Sequence, residues 1–129
     1  MIMNDPSKSA QNDIRPLIGI VGPCGSGKST LIAGLEKHDY RCRHIVQEHS
    51  YVKSMWQIIT NPNILIYLKC SFENSTSRRK LNWLPADHEE QLRRLSHARE
   101  HANLIIDTDI QNADDVLTQT LHYLKGHIR

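Results

Sequence analysis

Short apolar runs recur along the chain, separated by stretches with helical spacing. Leu17-Ile18-Gly19-Ile20-Val21, Ile64-Leu65-Ile66-Tyr67-Leu68 and Leu104-Ile105-Ile106 are continuous runs of strand length. This is the pattern of strands buried on both faces of a parallel sheet. Cys42-Arg43-His44-Ile45-Val46-Gln47 predicts one more strand, apolar only in its second half. Residues 30–37 read as a helix with Leu31, Ile32, Ala33 and Leu35 available to the core. Val52, Met55, Trp56 and Ile59 fall at i, i+3, i+4 and i+7, which predicts a short amphipathic helix over 48–59, ended by Asn61-Pro62-Asn63. Residues 81–87 read as a loop with Pro85 interrupting any helix, and 89–102 as a polar helix. Asn112 is placed to cap the last helix, with Asp114 and Asp115 in its first turn and Leu117, Leu121, Leu124 and Ile128 as its apolar stripe. The alternation implies an α/β fold, a mostly parallel sheet of about four strands flanked by helices. Residues 1–13, poor in apolar side chains, read as a flexible tail, and 14–129 as one domain.

The apolar run at 17–21 is followed by Gly22-Pro23-Cys24-Gly25-Ser26-Gly27-Lys28-Ser29, the G-x-x-x-x-G-K-S pattern of a phosphate-binding loop. The spacing has a physical reason. The glycines let the backbone curl with its N–H groups turned inward around a polyphosphate. The helix beginning at the loop brings its positive end to the same point. Gly22, Pro23, Cys24, Gly25, Ser26, Gly27, Lys28, Ser29 and Thr30 are therefore the predicted nucleotide-binding residues. Lys28 supplies a mobile charge for the outer phosphates and is expected to face solvent in the empty loop, and Ser29 is placed to ligate Mg²⁺. In a parallel sheet this is also where ligands bind, beyond the carboxyl ends of the strands.

Charge and cysteine content narrow the reading. A net charge of +2 over 129 residues argues against a dedicated nucleic-acid binder. No stretch has the length of a membrane span, and the N-terminus lacks the pattern of a signal peptide. Cys24, Cys42 and Cys70 have no metal-like spacing, so reduced thiols in a cytoplasmic protein are expected.

Beyond the loop the chain resembles the P-loop kinases of small molecules, the group of shikimate kinase and adenylate kinase. Leu68-x-x-Ser71-x-Glu73 followed by Arg78 resembles the segment where a strand of such kinases runs into the lid. Arg93, followed by Ala102-Asn103-Leu104-Ile105-Ile106-Asp107-Thr108-Asp109, resembles the lid arginine and a strand near their C-terminus. The resemblance implies a three-layer P-loop NTPase fold, ATP and Mg²⁺ as ligands, and transfer of the γ-phosphoryl group to a small acceptor. It implies that Arg78 or Arg79, and Arg93 or Arg94, close over the transferring group, and that the backbone after Asp107-Thr108 lies near the adenine. The chain departs from these kinases between 38 and 63, where an acceptor-binding segment is not evident and no standard acidic residue follows the second strand. Glu48 is the nearest substitute, as a ligand of Mg²⁺ water or a base for the acceptor hydroxyl. The catalytic set is then Lys28, Glu48, Arg78 and Arg93, with Ser29 and Glu48 at the metal. The short acceptor region also supports a second reading, a nucleotide-binding module without efficient transfer.

Other residues have plainer explanations. His97 and His101 form an i, i+4 pair without an evident third metal ligand, and read as a surface helix. Trp83 could stack on a base, but a half-buried tryptophan is the more common case.

Overall fold

The computed structural model describes residues 13–79, the side chain of Arg79 excepted, and 82–128. The predicted tail apart from Asp13, and Lys80 of the basic cluster, lie outside the described residues. The elements are β1 (Leu17–Val21), α1 (Lys28–Lys37), β2 (Arg41–His44), β3 (Ile64–Lys69), α2 (Phe72–Arg79), α3 (Pro85–Arg94), α4 (Ser96–His101), β4 (Leu104–Asp107) and α5 (Ala113–His127). The four strands form one sheet of order β2-β1-β3-β4, and every pairing is parallel. The chain leaves β1 for one neighbour and later returns to the other. The strand order thus reverses beside β1, at the end where the glycine loop begins.

Strand alternation divides the core between two faces. Ile18, Ile20, Ile66, Leu68 and Ile106 pack with Leu31 and Leu35 of α1 and Val116 and Leu124 of α5. Val21, Leu65 and Tyr67 pack with Ile45, Trp56, Leu95 and Ala98. Gly34 brings α1 and α5 close, since a Cβ there would lie 2.9 Å from Leu117 Cδ2. Helix α5 is capped as the sequence predicts, with Asp115 N donating to Asn112 Oδ1 at 2.8 Å. Among the described residues, no helix is long and apolar enough to cross a membrane.

Five local expectations are corrected. The run at 104–106 forms an edge strand, not a central one buried on both faces, because β4 pairs with β3 alone and leaves Ile105 44% exposed. The second strand covers Arg41–His44, not the apolar half of its segment. As an edge strand it pairs with β1 alone, so its polar residues meet solvent at little cost. Ala33 of α1 is exposed. No α-helix spans 48–59. A 3₁₀ turn at Gln47–His49 and a π-turn at Trp56–Thr60 stand there instead, and only Trp56 of the predicted stripe is buried, Val52 and Ile59 being 46% and 71% exposed. The cause is the buried Gln47 side chain. Its Oε1 accepts from Trp56 N at 2.8 Å, and its Nε2 donates to Val52 O and Arg94 O at 2.9 and 3.2 Å. Those bonds take backbone groups that a continuous helix would pair internally. Finally, Pro85 starts α3 instead of interrupting it. At the first helical position the missing N–H costs nothing, and Leu84 N is satisfied by Asp87 Oδ2 at 2.8 Å.

His88 fills the corner between α2 and α3, edge-on to Phe72 and Trp83 with ring centroids 6.0 and 6.1 Å away. It is buried, and among the described residues its Nδ1 has no partner. Burial holds its imidazole below the ordinary value of 6.5, against the opposing pull of Glu73 and Asp109. The unfolded chain therefore takes up the proton more readily, so this contribution is complete above 6.5 and is lost as the pH falls through the depressed value. His88→Gln is expected to flatten the fall in stability between about pH 7.5 and about pH 5.5, as read by urea denaturation. Equal slopes in the two proteins would place the acid sensitivity elsewhere.

Candidate functional site

The glycine loop joins the carboxyl end of β1 to the first turn of α1. Its first glycine is fixed by space: a Cβ on Gly22 would lie 2.6 Å from the Leu68 carbonyl oxygen and 2.7 Å from Ser26 Oγ. Gly27 is fixed by conformation, with φ of 98° at the residue before the helix, in the left-handed region that favours glycine. Ser26 N donates back to Pro23 O at 3.1 Å and closes the curl. Among the described residues, no backbone carbonyl outside regular helices and strands accepts from Gly25 N or Gly27 N. The first N–H groups of α1 are likewise without intrahelical partners. Ser29 and Thr30 stand exposed in that first turn.

The loop floors a cleft of about 420 Å³ that also touches His44, Val46, Glu48, His49 and Arg78. Glu48 arrives on the 3₁₀ turn after β2, at the carboxyl side of the sheet, and its side chain is 3% exposed. Its Oε2 lies 2.9 Å from Lys28 Nζ, while its Oε1 is buried and has no partner among the described residues. The expectation that Lys28 faces solvent is therefore overturned. Its side chain is 6% exposed, and its ammonium also donates to the Gly22 and Pro23 carbonyls at 2.7 and 3.0 Å. The reason is the buried carboxylate, which needs a counter-charge once removed from water.

Arg78 reaches the loop from α2. It donates to Gly25 O at 3.3 Å, to Thr108 Oγ1 at 3.1 Å and to Thr108 O at 2.5 Å. A second cleft of about 250 Å³ adjoins the first and shares Gly27, Thr30 and Arg78 with it. Its far side is Thr108, Gln111, Asn112 and Ala113, the backbone that follows β4. The structure does not bring Arg93 to either cleft. Arg93 is 62% exposed and bound to Glu90 at 2.6 Å. Its neighbour Arg94 points inward, donating to Glu48 O at 3.4 Å and lying over the Tyr51 ring at 4.3 Å.

Residues the sequence did not single out complete the site. Gln91, buried in α3, accepts from Cys24 N at 3.0 Å and donates to Cys24 Sγ at 3.2 Å, so it holds the loop from above. His49 Nε2 lies 3.6 Å from Cys24 Sγ. His44 sits at the end of β2, and burial and the Lys28 ammonium hold its imidazole below the usual value, against Glu48. A histidine ending a strand is a signal that could have been read. Gln91, 67 residues from its partner within a polar helix, offers none.

The remaining candidates serve packing. His97 Nδ1 accepts from Trp56 Nε1 at 3.0 Å, and its ring stacks on His101. Trp83 lies edge-on to His88. All three cysteines are free, and burial pushes the Cys42 thiol up to about 11. No protein-family model matches the chain, and no curated protein matches it in sequence.

Proposed function

We propose that the chain is an ATP-binding P-loop protein acting as a small-molecule kinase, with phosphoryl transfer to a small hydroxyl or phosphate acceptor. One observation carries the reading. Gly25, Gly27, Lys28, Ser29, Glu48 and Arg78 all line one cleft at the carboxyl edge of a parallel sheet. The donor set suits a magnesium-bound triphosphate. Gly25 and Gly27 offer N–H groups, Lys28 and Arg78 offer positive charge, and the Ser29 hydroxyl offers a hard oxygen for Mg²⁺. Bound ATP would supply the phosphoryl group, and Mg²⁺ would offset its charge. The protein's part is positioning. Lys28 exchanges its two loop carbonyls for phosphate oxygens, Arg78 stabilises charge that grows during transfer, and Glu48 orients the acceptor or a metal-bound water. The base would lie in the cleft beside Thr108 and Gln111.

A nucleotide-binding module without efficient transfer is the second reading. The closed Lys28–Glu48 pair and the outward Arg93 favour it. Incubation with ATP, Mg²⁺ and a panel of nucleosides, nucleotides and hydroxylated metabolites, followed by ADP assay, separates the two. A kinase forms ADP with some acceptor, and Arg78→Ala lowers that turnover by about 10²-fold with little change in ATP affinity. Tight binding without ADP supports the module, and failure to bind at all removes both readings.

A further inference from the structure

Cys24, Glu48 and His49 meet at the mouth of the phosphate cleft, their ligand atoms all within 4.8 Å of one another. We propose that these three side chains form a site for a borderline-soft divalent ion of the Zn²⁺ class, distinct from the Mg²⁺ position at Ser29. One of the two distances is that of a metal site, and the other lies about 0.6 Å beyond it. With ordinary zinc bond lengths, tetrahedral ligands lie about 3.6 Å apart for sulfur and nitrogen and about 3.3 Å for nitrogen and oxygen. Cys24 Sγ lies 3.6 Å from His49 Nε2, and His49 Nε2 lies 3.9 Å from Glu48 Oε2.

Independent of that spacing, Glu48 Oε1 is buried and has no hydrogen-bond partner among the described residues. A carboxylate has about four acceptor positions. Lys28 engages Oε2, the oxygen that faces His49, so a cation between Cys24 and His49 would share Oε2 with Lys28 or take Oε1 after a turn of the carboxylate. The sulfur is also oriented from outside the cluster. Gln91 Nε2 donates to Cys24 Sγ at 3.2 Å, the kind of outer contact that fixes the orientation of a ligand. On binding, the thiol gives its proton to water and the sulfur takes the metal. Sulfur and imidazole donors suit zinc, whereas Mg²⁺ requires oxygen. Three protein ligands leave a fourth position, which faces the cleft that all three residues line. Because Glu48 is shared, the ion and Lys28 act on one carboxylate, and metal loading is coupled to how tightly Lys28 is held.

The test uses the full chain without nucleotide, so its outcome is separate from that of the kinase reading. Addition of Co²⁺ is expected to produce a thiolate-to-cobalt charge-transfer band that saturates at one equivalent and is displaced by Zn²⁺. The band should vanish in Cys24→Ser and persist in Cys42→Ser. Cys24→Ser and His49→Gln should each weaken Zn²⁺ binding by about 10²-fold or more, exceeding the loss from an outer partner. Zn²⁺ should also protect Cys24 of the unmodified chain from alkylation, a readout that needs no variant. Absence of the band, an unprotected Cys24, or Zn²⁺ binding that survives Cys24→Ser but is lost in His97→Gln would overturn the proposal.

Discussion

Lys28→Ala is expected to destabilise the protein by about 3–5 kcal/mol, the cost of leaving a buried charge without its partner. The carboxylate left behind is 3% exposed, and its other oxygen already lacks a partner among the described residues. For a domain of this size the loss should lower Tm by more than about 10 °C. The reverse change is expected to be milder. When Glu48 becomes glutamine, Lys28 keeps the Gly22 and Pro23 carbonyls and can extend its flexible stem into the open cleft. The double variant Lys28→Ala with Glu48→Gln should recover most of the stability lost in Lys28→Ala, because no unpaired charge remains. Denaturant melts of the three variants and the unmodified chain complete the cycle. Additive losses would mean that the two groups do not depend on one another. A practical consequence is that Lys28→Ala confounds folding with phosphate binding, whereas the exposed Ser29 separates them.

Glu48→Gln is expected to lower any ATP-dependent turnover by about 10²-fold or more, near 2.7 kcal/mol of activation free energy, with nucleotide binding retained. Glu48 is the acidic side chain lining the loop cleft, and it stands at the carboxyl side of the sheet beside the loop. Asp107 and Asp109 follow β4, and Asp109 is engaged by Ser71 N and Asn74 Nδ2 at 3.1 and 2.7 Å. Asp39 lies before β2, at the opposite end of the sheet. The glutamine keeps shape and removes charge, so the comparison isolates positioning and electrostatics. Steady-state kinetics beside a binding isotherm reads the two quantities separately. Turnover equal to that of the unmodified chain would remove Glu48 from the chemistry.

Much of the sheet was legible because buried parallel strands write themselves as apolar runs. β1, β3 and β4 lie where Leu17-Ile18-Gly19-Ile20-Val21, Ile64 to Leu68 and Leu104-Ile105-Ile106 place them. Of the two edge strands, β4 keeps an apolar run although Ile105 is 44% exposed, whereas β2 escaped in part because its residues are mostly polar and the apolar Ile45 and Val46 fall beyond it. The segment after it misled through periodicity. The Val52, Met55, Trp56 and Ile59 spacing is helical, yet the Gln47 side chain captures the backbone of Val52 and Trp56. Such a tertiary override leaves no local trace. In the site, the glycine loop was visible because its spacing is dictated by backbone geometry. The inward turn of Lys28 was not, since it depends on Glu48, 20 residues away and buried. The grip of Gln91 on Cys24 was hidden for the same reason.

The central claim is that the loop binds a nucleoside triphosphate by its phosphates, and titration calorimetry tests it without altering the fold. ATP with Mg²⁺ should bind saturably, tripolyphosphate should compete for the same site, and adenosine alone should bind far more weakly, because in this reading the loop amides, Lys28 and Ser29 would meet only the phosphates and metal. Saturating ATP at about 100 times Kd should also stabilise the fold by about 2.7 kcal/mol. Adenosine binding as tightly as ATP, or no binding of ATP at millimolar concentration, would contradict the account.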